Sequence, residues 1–370
     1  MGSTDQGYPG NILLTGPWSI PCALHNDELL SSWLVRSALA NGCDPLTLTG
    51  DLWPGWRAWT IDLDRGLPAD KLKSLAKKCT TTTNKFESIF LRHAAARVVG
   101  AELPIRQCWP WILAIGARNR LRSGGLQYCP ICLKESPYFR ICWRFAWHTC
   151  CSTHHIRLHD SCPHCSISIE PHRLEAQNKS ITVCPNCLSD LSEASTEKPS
   201  EKSLSFQKMA NRTLDDGYNT YSNVKLRAPA WFELARFFYV LSHRLSNPES
   251  PSMAALASYF GVKDTPKHAP QLERADTATR ASLFGVVELL MNTNKKKLAS
   301  ILTEHGISQE GFCPKGVAIP GCLVDLLEAL ESRPQKKKGR SIVNSLPNPR
   351  PWHEVQRRSI RIRRKLMEGK

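Results

Sequence analysis

The chain has 370 residues, 41% hydrophobic and 22% charged, which is enough apolar material for packed cores and excludes a disordered polymer. A length well past the roughly 250 residues at which single cores stop growing implies two or three domains. Lys and Arg number 49 against 33 Asp and Glu, and this formal charge of +16 favours polyanions such as nucleic acid as partners.

The opening MGSTDQGYPG has no charged-then-apolar signal pattern. Apolar runs such as WPWILAIGA (109 to 117) fall short of the ~20 residues a bilayer requires, so a cytoplasmic location without membrane contact is expected. Fifteen cysteines, an odd number, argue for reduced thiols and metal ligands over a disulfide framework.

Along the chain, NDELLSSWLVRSALANG (26 to 42) predicts a helix with Asn26 as N-cap, Asp27 and Glu28 in its first turn, and Leu30, Trp33, Leu34 and Ala38 on one face. LPADKLKSLAKKC (67 to 79) and TTTNKFESIFLRHAAARVVG (81 to 100) predict two helices joined by a short turn, the outline of a helix-turn-helix. Residues 11 to 127 thus read as an N-terminal helical domain.

Residues 128 to 190 form a cysteine-rich module. Its pairs are Cys129 and Cys132, Cys151 and His154, Cys162 and Cys165, and Cys184 and Cys187, each with two residues between partners. Eighteen residues separate Cys132 from Cys151, and eighteen separate Cys165 from Cys184, the pattern of tandem zinc ribbons. Two four-ligand sets filled by protein imply two structural Zn2+ ions with no open position for a catalytic water. Cys150 and His155 neighbour the chosen ligands, and spacing leaves open both their substitution and a cross-braced pairing.

Inside the module, YFRICWRFAWH alternates Phe139, Ile141, Trp143, Phe145 and Trp147 with Arg140, Cys142, Arg144 and Ala146. A strand would bury the aromatics and present the two arginines; the i, i+4 spacing of Phe139, Trp143 and Trp147 also fits a short helix. From Pro104 to His159, eight basic residues (Arg106, Arg118, Arg120, Arg122, Lys134, Arg140, Arg144 and Arg157) face one acid, Glu135, which suggests a phosphate-facing surface.

SEASTEKPSEKS (192 to 203) reads as a solvated linker, extended over 191 to 222. APAWFELARFFYVLSHRL (228 to 245), TRASLFGVVELLMN (279 to 292), NKKKLASILTEHG (294 to 306) and CLVDLLEALES (322 to 332) predict an α-helical C-terminal domain over 223 to 332. A basic tail from 333 to 370, with the runs QKKKGR and RRSIRIRRKL, reads as an arm that contacts nucleic acid. The fold expected is therefore mainly α with small β zinc ribbons.

DELLSSWLVRSALANG followed by YCPICLKESPYFRICWRFAWHTCCSTHHIRLHDSCPHC resembles the TniQ/TnsD family of transposition target-selection proteins, over about residues 11 to 190. The resemblance implies a DNA-binding or target-complex adaptor that links a chosen target to an AAA+ ATPase, which recruits the transposase. Some members attach to an RNA-guided CRISPR effector and act as homodimers. Carried over, zinc ligation falls on Cys129, Cys132, Cys151, His154, Cys162, Cys165, Cys184 and Cys187. Helix-turn-helix roles fall on residues 67 to 93, with Thr83, Asn84, Lys85, Ser88 and Arg92 as candidate DNA contacts beside Arg140 and Arg144.

Neither a G-x-x-x-x-G-K-[ST] loop nor an H-E-x-x-H motif occurs, so ATP hydrolysis and zinc proteolysis are not signalled and a non-catalytic protein is expected. The rival reading is a zinc-containing helix-turn-helix transcription regulator that works without an ATPase.

Overall fold

The structure, a computed structural model, describes residues 17 to 104, 107 to 115, 126 to 262, 271 to 314, 316 to 332 and 352 to 367. Residues up to Ser332 form one compact unit, and Arg333–Lys370 form a second.

The first unit opens with helix α1 (Leu30–Ala40), which starts four residues after the expected cap. Asn26 to Glu28 are used otherwise: Asp27 binds Tyr138 and Arg140, and the Glu28 carboxylate accepts from Ser32 Oγ at 2.9 Å and Arg36 Nε at 2.8 Å. Gly42, at φ +68°, turns the chain into α2 (Pro45–Leu52), which has Pro45 at its first position.

Helix α3 (Ala69–Lys78) lies where its periodicity placed it, with Leu72, Leu75 and Ala76 buried. The expected helix over 81 to 100 is two pieces, α4 (Thr83–Glu87) and α5 (Leu91–Val99). The break falls at Ser88 to Phe90, where Phe90 takes an extended conformation and Ile89 and Phe90 are both buried.

The cysteine segment contributes one short helix, α6 (Pro130–Glu135), and otherwise turns closed by isolated bridges. Residues 141 to 144 are a single 3-10 turn, in place of the strand or α-helix anticipated. Phe139, Trp143, Phe145 and Trp147 are buried as expected. Arg144, predicted to sit on an outer face, is buried with them.

Within the presumptive linker, Glu201–Asp216 is a 16-residue helix, α7, capped by Ser200 and stopped by Gly217 at φ +79°. Its buried face mixes Phe206, Ala210 and Leu214 with Ser203, Gln207 and Thr213, so no apolar stripe betrays it in the sequence. Strands β1 (Tyr218–Tyr221) and β2 (Val224–Arg227) pair antiparallel, Tyr218 opposite Arg227, and Ser222 and Asn223 take the positive φ of their two-residue turn.

Helices α8 (Ala228–Leu245), α9 (Pro251–Tyr259), α10 (Thr277–Asn292), α11 (Lys295–Glu304), α12 (Gln309–Phe312) and α13 (Val324–Glu328) complete this unit. Their core is aromatic: Trp231, Phe232, Phe237 and Phe238 of α8 share it with Phe206 and Phe284, and Phe206 stacks on both Trp231 and Phe284. Each such side chain contributes on the order of 1.5 to 3 kcal/mol through burial. The division between cores does not fall at residue 128: α5, Trp109, Trp111 and Trp147 join the C-terminal core, whereas α1 to α4 share a core with Leu133, Phe139, Leu158, Ile169 and Ile181 of the cysteine module.

The second unit contains α14 (Trp352–Met367), which has Arg357, Arg358, Arg361 and Arg363 along its length. Among the described residues no helix is long and apolar enough to cross a membrane.

Candidate metal centres and nucleic-acid contacts

Three of the four ligand pairs share one backbone device. Cys151 N donates to Ile156 O at 2.8 Å, and His155 N donates back to Cys151 O at 3.1 Å. The same exchange joins Cys162 with Ile167 and Ser166 (3.0 and 2.8 Å) and Cys184 with Ser189 and Leu188 (both 2.9 Å). The residue four places after the first ligand is left-handed each time: His155 at φ +50°, Ser166 at +58° and Leu188 at +62°. The fourth pair differs, because Cys129 caps α6 and its Sγ accepts from Cys132 N at 3.4 Å.

These turns gather the donors into two sets whose ligating atoms lie within 4.8 Å of one another: Cys129, Cys132, Cys151 and His154, then Cys162, Cys165, Cys184 and Cys187. The pairing is sequential; adjacent pairs share a centre and no cross-bracing occurs. Cys132 and Cys151 sulfurs are 3.6 Å apart, Cys162 and Cys187 3.6 Å, and Cys165 and Cys184 3.8 Å. Thiolates bound at ~2.3 Å around a tetrahedral zinc stand roughly 3.8 Å apart, so both donor sets fit that ion.

His154 presents Nδ1 to the thiols of Cys129, Cys132 and Cys151 at 3.5, 3.2 and 3.6 Å, and its Nε2 meets Glu135 Oε1 at 3.2 Å. That carboxylate fixes the ring so that Nδ1 serves as the ligand atom. Hydrogen bonding to Cys132 and Cys151 holds the Cys129 thiol well above its ordinary range, while contacts from Cys129 and Cys132 hold Cys151 well below. In the second set the Ser189 hydroxyl draws Cys187 down to about 6, and burial pushes Cys184 up to about 12.

The neighbouring Cys150 and His155 are not ligands. His155 occupies the left-handed position, exposed to solvent. Cys150 is buried, and its backbone is clamped by Gln207 of α7, which accepts from Thr149 N and Cys150 N at 3.0 and 3.1 Å and donates to Cys150 O at 2.9 Å.

The candidate nucleic-acid contacts separate into two groups. Asn84, Lys85 and Ser88 are exposed on or beside α4, and Thr83 is half-buried at its start. Arg92 is ion-paired with Glu87 and lies over the Phe90 ring at 5.0 Å. Arg140 is held by Asp27 and by the Tyr138 hydroxyl at 2.6 Å.

Arg144 is wholly buried and cannot reach a phosphate. Its guanidinium donates to Asp62 at 2.6 and 3.2 Å, to Asp64 at 2.9 Å and to Leu113 O at 2.9 Å. Arg106, Arg118, Arg120 and Arg122, and the tail from 333 to 351, lie outside the described residues.

Sequence reasoning missed the acids that occupy this interior. Burial pushes Asp64 up to about 6 against the attraction of Arg144. Burial acts on Asp62 in the same direction, but Arg144 and Arg65 outweigh it and hold that carboxyl below its usual value. Ser31 donates to Asp64 from both its amide and its hydroxyl (2.8 and 2.9 Å), Ser32 Oγ accepts from Phe139 N at 2.9 Å, and Leu29 N donates to Phe139 O at 2.9 Å. DELLSSW and YFRICWR therefore bind each other. The signal available was the run IDLDR, two acids alternating with apolar residues.

Residues 19 to 158 match the TniQ family model, from just before α1 to just past His154. No curated protein matches the chain.

Proposed function

We propose that this chain, whose residues 19 to 158 match the TniQ family model, is a transposition-associated protein and a non-catalytic adaptor that selects or licenses the insertion target. It recruits an AAA+ ATPase and, through it, a transposase, engaging DNA or an RNA-guided effector complex on its other side. The observation that carries the reading is the extent of the family match, which spans both interlocked stretches and the first metal centre.

The donor chemistry supports a scaffold. Each set supplies four protein donors, so a tetrahedral zinc there would be closed to water, and its role would be to hold turns that have little core of their own. Pull-down of the full-length protein, with its metal content measured, against the products of its neighbouring genes, with and without DNA, and scored for an AAA+ ATPase, tests the proposal. Capture of the ATPase is expected; DNA binding with no ATPase captured would replace the adaptor with a regulator.

A further inference from the structure

A groove on the C-terminal helices has the chemistry for phosphate. Its floor is the face of α10 bearing Ala278, Ala281, Ser282 and Gly285, side chains too small to fill it. Lys198, Ser200 and Lys202, where the chain enters α7, form one wall, and Phe260 and Gly261 after α9 form the other. Arg157 lines it as well. A second recess shares Lys202, Phe260, Gly261 and Leu289 with the first and adds Thr293 and Lys297. The two adjoining recesses measure about 370 and 440 Å³.

Four cations line this surface and, among the described residues, no carboxylate does. Arg157 is tied to Glu197 at 2.8 Å. Lys198, Lys202 and Lys297 are exposed and make no ion pair with a described residue. Several cations of the same unit, Arg140, Arg144, Arg236, Lys134 and Lys295, are by contrast each held by a carboxylate. Unneutralised lysines around a concave floor, with the hydroxyls of Ser200, Ser282 and Thr293 between them, match the alternating charge and hydrogen-bond acceptors of a phosphodiester backbone. At Gly285 the floor meets the wall closely: an added Cβ would stand in contact with Lys202 Cβ at 3.7 Å and Ser200 Oγ at 3.8 Å.

We propose that the groove between the start of α7 and α10, rimmed by Lys198, Lys202 and Lys297, is a sequence-independent binding site for the phosphate backbone of duplex DNA. The site rests on the adaptor reading in that it supplies the DNA-side contact. It holds the target without reading bases, so the choice of sequence comes from elsewhere in the assembly.

The test is binding of a random-sequence duplex by the full-length protein across a salt series, wild type against K198Q/K202Q/K297Q and K198E/K202E/K297E. Circular dichroism and metal content establish that the variants fold. Each neutralised phosphate adds about 0.9 to the log–log salt slope, so the glutamine variant should lower the slope by about 2 to 3 units. The glutamate variant should weaken binding by roughly tenfold or more at low salt. Unchanged affinity and slope in both variants would overturn the groove while leaving the adaptor intact. Loss of ATPase capture with DNA affinity unchanged would assign the groove to an acidic protein and overturn it as a DNA site. Absence of ATPase capture by the wild type, with the slope change present, would remove the adaptor reading and leave the groove.

Discussion

Replacing Arg144 with Met keeps most of its apolar volume and deletes its charge. Three hydrogen bonds to carboxylates and one to Leu113 O disappear. Asp62 retains Arg65 at 3.0 Å, but Asp64 retains only the two donors of Ser31. Breaking a buried pair from one side typically costs about 3 to 5 kcal/mol, and that loss is expected at pH 7.

The sign of the pH dependence follows from Asp64. Its folded value, already about 6, lies above the ordinary 3.8, and removal of its cation moves it higher. The folded variant then holds a proton that the unfolded chain releases above pH ~4, so its stability falls as pH rises and recovers on acidification by up to about 1.4 kcal/mol per unit. Urea unfolding followed by tryptophan fluorescence, variant against wild type at pH 7 and pH 5.5 with metal content matched, measures both quantities. R144M should narrow its deficit at the lower pH, and adding Asp64→Asn should narrow it at pH 7. A deficit below about 1 kcal/mol, or one equal at both pH values, would refute the argument that this network locks the two halves of the first core.

Two further outcomes concern the metal centres. Leu188→Gly and Ser166→Gly should each raise thermal stability by about 0.5 to 1 kcal/mol, since glycine carries no penalty at a left-handed φ, whereas Leu188→Ala should gain nothing. Glu135→Gln should weaken zinc at the first centre by about tenfold in chelator competition and leave the second unchanged; equal loss at both would show that Glu135 does not act through His154.

What the sequence made legible was local. Ligand pairs two residues apart, Pro229 at the head of α8 and the apolar face of α10 all depend on neighbours within a turn or two, and each stands where spacing put it. The interior charges were illegible because their partners are distant: Arg144 finds Asp62 and Asp64 about eighty residues away, and a lone arginine among aromatics reads as an exposed one. Helix α7 was hidden for a related reason. Its inward Gln207 and Ser203 resemble solvated residues until their partners are in view, the Thr149–Cys150 backbone for Gln207 and the Thr149 hydroxyl for Ser203. The broken helix at Ser88 to Phe90 followed apolar periodicity on both sides, and only the burial of two consecutive side chains required the chain to bend.

The mutual grip of DELLSSW and YFRICWR also governs how this molecule can be dissected. A cut near residue 127, where composition invites one, would strand Asp62 and Asp64 on one fragment and Arg144 on the other, and would uncover both halves of a shared interior. Chimeras with relatives should therefore keep residues 17 to 194 together, and with them the C-terminal helices against which α5, Trp111 and Trp147 pack. Transplanting the cysteine turns alone would deliver metal ligands with nothing to stand on.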